Sequence, residues 1–237
     1  MIYRFGSVIP AVSIQNRKLA MKSAAKRLVT ALLSRSKLGR KLVLSFGLRD
    51  YLDSCGWFKS VEEKLPVDHS GACLPWYTYP AISFLEGRIN PNVAVFEFGS
   101  GNSTLWWSMR AARVTSCEHD IAWYTSLKPK MPNVVEYMHR ELDGGRYSDA
   151  ILAYNDAFEI IVIDGRDRVN CAKNSLSALT ADGVIIWDNS DREKYNPGYA
   201  YLVESGFRRL DFWGLGPINY NQWCTSVFYR DGNCLGI

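Results

Sequence analysis

A chain of 237 residues with 47% hydrophobic and 22% charged residues has the composition of a globular protein with a substantial core. No run approaches the roughly 20 apolar residues that a membrane-spanning helix needs, and Arg4, Gly6 and Pro10 interrupt the apolar N-terminus, which argues against a signal peptide. The six cysteines form no C-x-x-C pair, so we expect reduced thiols and a cytoplasmic protein.

The charge is distributed unevenly along the chain. Residues 1–50 contain eleven Lys or Arg and one acid, whereas the rest contains 17 Lys or Arg and 23 acids. Loose helical spacing of apolar residues predicts a basic, mostly helical extension over residues 1–60, followed by one domain over 61–237. Such a basic segment is either a solvated helical extension, or a surface through which residues 1–45 contact the inner membrane face peripherally or bind a partner protein. Since no nucleic-acid motif is present, we expect no nucleic-acid partner.

Helical and strand patterns alternate through the second part. A helix is predicted from about Tyr79 to Leu85. Five strands are then predicted at VAVFEF, ARVTSCEHD, NVVEYMH, FEIIVIDG and GVIIWDNS. Helices are predicted between them from Ser103, over IAWYTSLKPK and over VNCAKNSLSALTADG, with a further helix in YNPGYAYLVESG and two last strands in FRRLDFWG and QWCTSVFYR. This alternation predicts a mostly parallel sheet covered on both faces.

Acidic residues end four of the predicted strands. They are Glu97, Glu118, Asp164 and Asp188, on the first, second, fourth and fifth strands. The carboxyl ends of parallel strands meet at one edge of the sheet, where ligands of such folds bind. The sequence therefore predicts an acidic ligand site at this edge.

A glycine loop follows the first strand, in the order Glu97-Phe-Gly99-Ser-Gly101-Asn-Ser. Such a loop brings bare backbone N–H groups close to a ligand. A dinucleotide fingerprint G-x-G-x-x-G would need glycine at Thr104, and a carboxylate at Glu97 disfavours a pyrophosphate. An acid at this position suits a cationic ligand. An NAD(P)-dependent Rossmann oxidoreductase or epimerase is one alternative, and a non-catalytic binding protein with a degenerate cofactor fold is another.

From about Leu74 to Arg230 the chain resembles class I S-adenosylmethionine-dependent methyltransferases. Their first motif is an acid, one residue and three alternate glycines, which Glu97, Gly99 and Gly101 match and Ser103 replaces at the third glycine. The resemblance implies an α/β, Rossmann-like, doubly wound and mostly parallel seven-stranded sheet. It also implies a C-terminal antiparallel hairpin, which the two last predicted strands supply.

The resemblance also implies roles in binding S-adenosylmethionine. Glu118 would accept hydrogen bonds from both ribose hydroxyls, His119 would flank the adenine or be exposed, and Asp164 would lie beside the methyl donor. Gly99 to Asn102 would wrap the methionine part of the cofactor. The cofactor-binding residues of this stretch are Glu97, Gly99, Ser100, Gly101, Asn102 and Ser103.

The acids after the fourth and fifth strands carry the predicted chemistry. Asp164 and the pair Asp188-Asn189 resemble metal-dependent O-methyltransferases of the catechol and caffeoyl-coenzyme A type, in which these positions hold a divalent ion. Two devices would deprotonate an acceptor hydroxyl: a general base, or Mg²⁺ on Asp164, Asp188 and Asn189, which would lower the pKa of the hydroxyl. The alternative for Asp188-Asn189 is an Asx turn after the strand. The stretch IDGRDRVNC is closer to a bacterial subgroup with Asp-Gly-Arg-x-Arg. Arg166 and Arg168 either clamp an acceptor carboxylate or phosphate, or pair with neighbouring acids.

Three aromatic residues precede the glycine loop. Trp76, Tyr77 and Tyr79 either line the rim of a pocket for adenine or acceptor, or belong to the core. Taken together, the residues predict methyl transfer to an oxygen of a small-molecule or glycan-type acceptor. The residues expected to act on the acceptor are Asp164, Arg166, Asp188 and Asn189.

Overall fold

The computed structural model describes residues 27–237, and the chain divides into two compact units between Leu52 and Asp53. The described part of the first unit is helical at residues 27–33 and in helix α1 (Lys37–Ser54), within which the boundary falls. No helix of the described residues is long and apolar enough to cross a bilayer. The domain boundary predicted after residue 60 and the membrane contact of residues 1–45 stay predictions, and residues 1–26 of that segment lie outside the described range.

The second unit is built on seven strands and six α-helices, with four short 3₁₀ helices in its loops. The helices are α2 (Trp57–Glu63), α3 (Tyr79–Glu86), α4 (Asn102–Ser108), α5 (Ile121–Leu127), α6 (Arg168–Ser175) and α7 (Asn196–Glu204). The strands are β1 (Ala94–Phe98), β2 (Arg113–Glu118), β3 (Val135–His139), β4 (Phe158–Ile163), β5 (Leu179–Asp188), β6 (Arg208–Gly214) and β7 (Trp223–Tyr229).

The strands form one sheet in the order β3-β2-β1-β4-β5-β7-β6. The first five strands pair in parallel, and β7 runs antiparallel between β5 and β6. This arrangement confirms the predicted fold class, including the C-terminal hairpin. The order reverses at β1, which lies between β2 and β4, and a crevice at the carboxyl ends of the strands is expected at such a switch point.

Alternate residues of the central strands pack into two separate cores. Phe96 and Ile161 face α6 and α7, whereas Val95 and Ile160 face α3 and α4. Both faces of a parallel sheet are covered by helices, so these strands are apolar almost throughout. Glu97 has the same parity as Val95 and therefore lies on the face covered by α4.

One predicted helix is shorter than expected. The sequence favours a helix over 169–183, but α6 ends at Ser175 and β5 begins at Leu179. Leu179 pairs with Phe158 of β4, and Ala178 accepts backbone hydrogen bonds from the N–H groups of Ala157 and Phe158. Pairing with the neighbouring strand thus outweighs the helical preference of these residues.

Candidate functional site

The glycine loop lies against the loop that follows β4. Gly99 has φ 104°, and a Cβ there would come within 3.2 Å of the Gly165 backbone nitrogen. A Cβ on Gly165 would in turn meet the Tyr147 hydroxyl at 1.9 Å and the Gly99 nitrogen at 3.1 Å. Both positions therefore require glycine, for the backbone conformation at Gly99 and for the close approach of the two loops. The loops after β1 and β4 form one continuous floor at the switch point.

Glu97 is fully buried beneath this floor, at 0% exposure. Thr104 of α4 donates a hydrogen bond to Oε2, whereas Oε1 is buried without a hydrogen-bond partner. Burial raises the pKa of Glu97 to about 7; the nearby Glu118 charge acts in the same direction, and the hydroxyls of Ser103 and Thr104 oppose it. A buried carboxylate with an unused oxygen is costly unless a cation compensates it. This oxygen is the strongest sign of a positively charged ligand at the loop.

Glu118 lies at the end of β2 and is 4% exposed. Its Oε1 accepts the backbone N–H groups of His119, at 2.8 Å, and Asp120, at 2.9 Å. Its Oε2 accepts the Ser100 hydroxyl at 2.7 Å, and Ser100 Oγ lies 2.8 Å from the hydroxyl of Tyr137 on β3. The carboxylate is therefore held in a fixed position, and Ser100 is the donor that a diol ligand would replace on Oε2.

His119 extends the same edge of the sheet. Its Nδ1 lies 2.8 Å from Glu118 Oε1, and its ring packs edge-on against Tyr147 with 5.7 Å between the ring centroids. The side chain is 25% exposed, so part of the ring faces the crevice.

Two crevices adjoin the glycine loop, and both are lined by Ser100 and Trp123, whose indole N–H donates to the Ser100 carbonyl at 2.9 Å. The acidic crevice encloses about 370 Å³ and is lined by Gly99, Ser100, Glu118, His119, Asp120, Trp123, Asp164, Gly165, Arg166 and Arg168. The aromatic crevice encloses about 330 Å³, and its lining includes Trp76, Trp123, Lys64, Lys130, Asp164 and residues 100–103. Asp164 borders both crevices, so a ligand in either one would contact it.

Arg168 joins the ends of β4 and β5. Its guanidinium donates to the carbonyls of Gly165, Asp164 and Asp188, and one nitrogen, Nη2, lies 3.0 Å from Asp164 Oδ1 and 3.3 Å from Asn189 Oδ1. The residue is 5% exposed. The prediction that Arg168 clamps the acceptor is therefore wrong, because its donors are already used within the protein. The alternative of pairing with neighbouring acids is confirmed for Asp164.

Asp164 and Asp188 do not form a metal site. Asp188 is 2% exposed, and its Oδ1 accepts the Trp223 indole N–H at 2.9 Å and the Thr225 hydroxyl at 2.7 Å. Residues 27–237 contain no group of three or more His, Cys, Asp or Glu side chains that would hold a metal ion. One oxygen of each side chain proposed for Mg²⁺ is thus engaged by Arg168, Trp223 or Thr225, and the structure does not support Mg²⁺ binding. Burial raises the pKa of both Asp164 and Asp188, and Arg168 opposes this shift.

Arg166 differs from Arg168 although only one residue separates them. Its side chain is exposed at the mouth of the acidic crevice and forms no ion pair within the described part of the chain. Of the two arginines, only Arg166 has a guanidinium free for a ligand.

The three aromatic residues before the loop separate in the structure. Trp76 is 43% exposed and lines the aromatic crevice, as predicted for a pocket residue. Tyr77 is 0% and Tyr79 5% exposed, and both pack in the core beside α3 and α4. Tyr77 accepts the indole N–H of Trp107 at 3.3 Å, so its role at a pocket rim is corrected to a core role.

The sequence analysis missed three residues of the site, Tyr137, Trp123 and Asp120. Tyr137 pairs in register with Ser116 on β2, so its distance from Ser100 depends on the strand order, which the sequence does not specify. Asp120 caps α5 by accepting the backbone N–H groups of Ala122 and Trp123. The sequence does contain a signal for these two residues: an aspartate directly after a strand is a typical N-cap. Recognising Asp120 as the cap predicts that Trp123 lies in the first turn of a helix at this edge of the sheet.

Comparisons with known proteins identify the fold. No protein-family model and no curated protein sequence matches the chain. Among solved structures, precorrin-6y C5,15-methyltransferase from Geobacter metallireducens GS-15 is similar over 64% of this chain and 87% of its own, with 12% identity and a TM-score of 0.50. A TehB-like SAM-dependent methyltransferase from Corynebacterium glutamicum ATCC 13032 is similar over 63% of this chain and 86% of its own, with 15% identity and a TM-score of 0.46. The chain thus shares the Rossmann-like fold of the Geobacter metallireducens enzyme, and a shared fold alone does not establish an activity.

The Arg168 contacts generate a prediction about stability. Arg168→Met should lower the free energy of unfolding by about 3–5 kcal/mol, because it leaves buried oxygens of Asp164 and Asp188 without their donor. Arg166→Met is the matched control and should change it by less than about 0.5 kcal/mol. Chemical unfolding followed by tryptophan fluorescence measures both. Equal small effects would show that Arg168 does not connect the strand ends.

The Glu97 environment predicts a substitution that stabilises the protein. The folded pKa of about 7 lies above the ordinary value of 4.5, so the contribution of Glu97 to stability falls as pH rises from about 4.5 to about 7. Glu97→Gln should therefore raise the free energy of unfolding by about 3 kcal/mol at pH 8 and leave it nearly unchanged at pH 4.5.

The exposed Glu204→Gln at the end of α7 is the control, with no change expected at either pH. A Glu97→Gln protein that is less stable than the unchanged chain at pH 8 would show that the carboxylate is already compensated.

Proposed function

We propose that the chain is an S-adenosylmethionine-dependent methyltransferase that transfers a methyl group to an oxygen of a small-molecule or glycan-type acceptor. The observation that carries the proposal is the buried Glu97 carboxylate, whose Oε1 lacks a partner beneath the glycine loop. A sulfonium nucleoside with an amino group is a cationic ligand, so its binding would compensate this charge.

The residues at the switch point fit this cofactor. The bare backbone of Gly99 allows close approach, and the Glu97 carboxylate is buried two residues before it, with Oε1 unpartnered. Glu118 presents a fixed carboxylate at the end of β2, where a ribose diol would displace the Ser100 hydroxyl from Oε2. His119 and Trp123 border the same crevice and would contact the base. When bound, S-adenosylmethionine supplies an electrophilic methyl group.

The chain itself supplies positioning and a proton acceptor. Asp164 borders both crevices, and burial raises its pKa toward the range in which a carboxylate accepts a proton efficiently at neutral pH. In the proposed reaction Asp164 receives the proton that the acceptor hydroxyl loses as its oxygen gains the methyl group. Arg168 fixes the Asp164 carboxylate, and Arg166 is free to meet an anionic part of the acceptor. Asp188 has a structural role, because it is buried and accepts hydrogen bonds from Trp223 and Thr225.

A dinucleotide-dependent oxidoreductase fits these residues less well. Thr104 stands where the third glycine of a dinucleotide fingerprint would lie, and its hydroxyl accepts the Gly101 N–H at 3.1 Å and donates to Glu97. A pyrophosphate over this loop would be placed close to the Glu97 carboxylate, which repels it.

Titration calorimetry with S-adenosylmethionine and with NAD tests the proposal. We expect binding of S-adenosylmethionine and no heat from NAD. Glu118→Ala should weaken S-adenosylmethionine binding about 10- to 100-fold, because each hydrogen bond to a charged group contributes about 1.5–3 kcal/mol.

The control variant Glu204→Ala lies away from both crevices and should bind like the unchanged chain. Binding of NAD without binding of S-adenosylmethionine would refute the proposal. Full affinity in Glu118→Ala would refute the role of that carboxylate.

A further inference from the structure

A third cleft lies beyond the end of β5, outside the two crevices of the cofactor site. We call it the amide cleft and define it by Asn189, Arg192, Asn219, Tyr220, Asn221 and Gln222. It encloses about 480 Å³ between the end of β5 and the loop that joins β6 to β7. None of the roles assigned above to bound S-adenosylmethionine uses this loop.

The amide cleft adjoins the proposed site of chemistry. Arg168 Nη2 donates to Asp164 Oδ1 at 3.0 Å and to Asn189 Oδ1 at 3.3 Å. Asp164 borders the acidic crevice, and Asn189 borders the amide cleft. Because one nitrogen atom contacts both side chains, a molecule in the amide cleft lies next to the edge of the cofactor crevice.

The side chains of the amide cleft match a ligand rich in hydroxyl groups. The amides of Asn219, Asn221 and Gln222 form no side-chain hydrogen bond with any other residue of the described range 27–237. Each amide offers both a donor and an acceptor, which is the pattern that a hydroxyl group also presents. Tyr220 is 74% exposed and adds an uncovered aromatic ring.

The loop that carries these side chains is held firmly by the domain. The Trp57 indole N–H donates to the Asn219 carbonyl at 3.0 Å, and the Trp57 and Tyr220 rings pack edge-to-face with centroids 5.2 Å apart. The Tyr79 N–H donates to the Leu215 carbonyl at 2.8 Å. Ile218 has φ 71°, a conformation that a β-branched residue adopts only where its surroundings impose it. The free amides therefore project from a backbone that is already ordered, which lowers the entropic cost of binding.

We propose that the amide cleft binds a sugar unit of the acceptor, so that the methylated oxygen belongs to a carbohydrate. This inference rests on the proposed function for the methyl transfer, but the cleft and its ligand class stand on the observations above. A sugar ring offers hydroxyl groups to the three amides and a C–H face to Tyr220.

Other ligand classes fit the cleft less well. A phosphate would require several cations, whereas Arg192 is preceded by Asp191 in the same cleft. Residues 53–237 contain 17 Lys or Arg and 23 Asp or Glu, so a nucleic acid would meet a surface of like charge. An acyl chain would require an apolar lining, and Ile218 is the only aliphatic residue among those that border the cleft in the described chain.

Saturation-transfer difference NMR on the full chain tests the proposal. The probes are methyl glycosides of glucose, galactose, mannose and rhamnose, each measured at millimolar concentration, with uridine as the nucleoside probe. We expect saturation transfer to the ring protons of at least one glycoside and none to uridine. Tyr220→Ala and Gln222→Ala should each reduce the affinity about three- to tenfold, as expected for the loss of one packing or hydrogen-bonding partner.

Trp213→Ala is the control for loss of an exposed aromatic residue, and Asn92→Ala is the control for loss of an exposed amide; both lie outside the cleft and should leave saturation transfer unchanged. The absence of transfer to every glycoside, an equal signal in the Tyr220→Ala/Gln222→Ala double variant, or transfer to uridine alone would overturn the proposal.

Calorimetry with S-adenosylmethionine on the same samples separates the two hypotheses, since cofactor binding without sugar binding refutes only the sugar site. Sugar binding without cofactor binding refutes the methyltransferase proposal and leaves the cleft assignment intact.

Discussion

The central constraint in this domain is a buried carboxyl group beneath the glycine loop, whose ionised form is costly. Glu97 is fully buried, one of its oxygens has no partner, and burial raises its pKa to about 7. A chain selected only for stability would replace such a carboxylate with an amide or an apolar residue. Glu97 lies at the end of β1, next to a loop in which Gly99 must lack a side chain. We therefore attribute the free-energy cost of burying its carboxylate to a role in ligand binding. We infer that the chain retains this carboxyl group because a cation stabilises its ionised form in the complex.

The other acidic residues at this edge of the sheet differ in the groups that hold their carboxylates in place. Glu118 is held by backbone N–H groups and by Ser100, so it is fixed but accessible to a competing hydroxyl. Asp164 and Asp188 are held by Arg168, Trp223 and Thr225, which keeps the ends of β4 and β5 together. The two arginines of the Asp-Gly-Arg-x-Arg stretch, which are two positions apart, thus have different roles. Arg168 acts within the protein, and Arg166 faces the solvent at the crevice.

Much of the fold could be predicted from the sequence, because apolar periodicity and the acids at strand ends are local signals. The shared edge of Glu97, Glu118, Asp164 and Asp188 follows from these signals and from the rules of parallel sheets, whereas the strand order that brings Tyr137 to Ser100 is seen only in the folded chain. The distinction between Arg166 and Arg168, and that between Trp76 and Tyr77, could not be predicted. Each depends on which side chain turns inward, and tertiary packing decides this. The amide cleft could not be predicted from the sequence either. Its residues come from two loops more than 25 positions apart, which meet only in the folded chain.

The most direct test of the central claim is the proton balance of cofactor binding. Calorimetry of S-adenosylmethionine binding at pH 6.5, in buffers of different ionisation enthalpy, counts the protons released. With a pKa of about 7 in the free protein, Glu97 is largely protonated at pH 6.5 and must ionise to pair with a cation. The account therefore predicts release of about three-quarters of a proton, with affinity rising between pH 6 and pH 8. Binding of the cofactor with no proton release and no dependence on pH would contradict it.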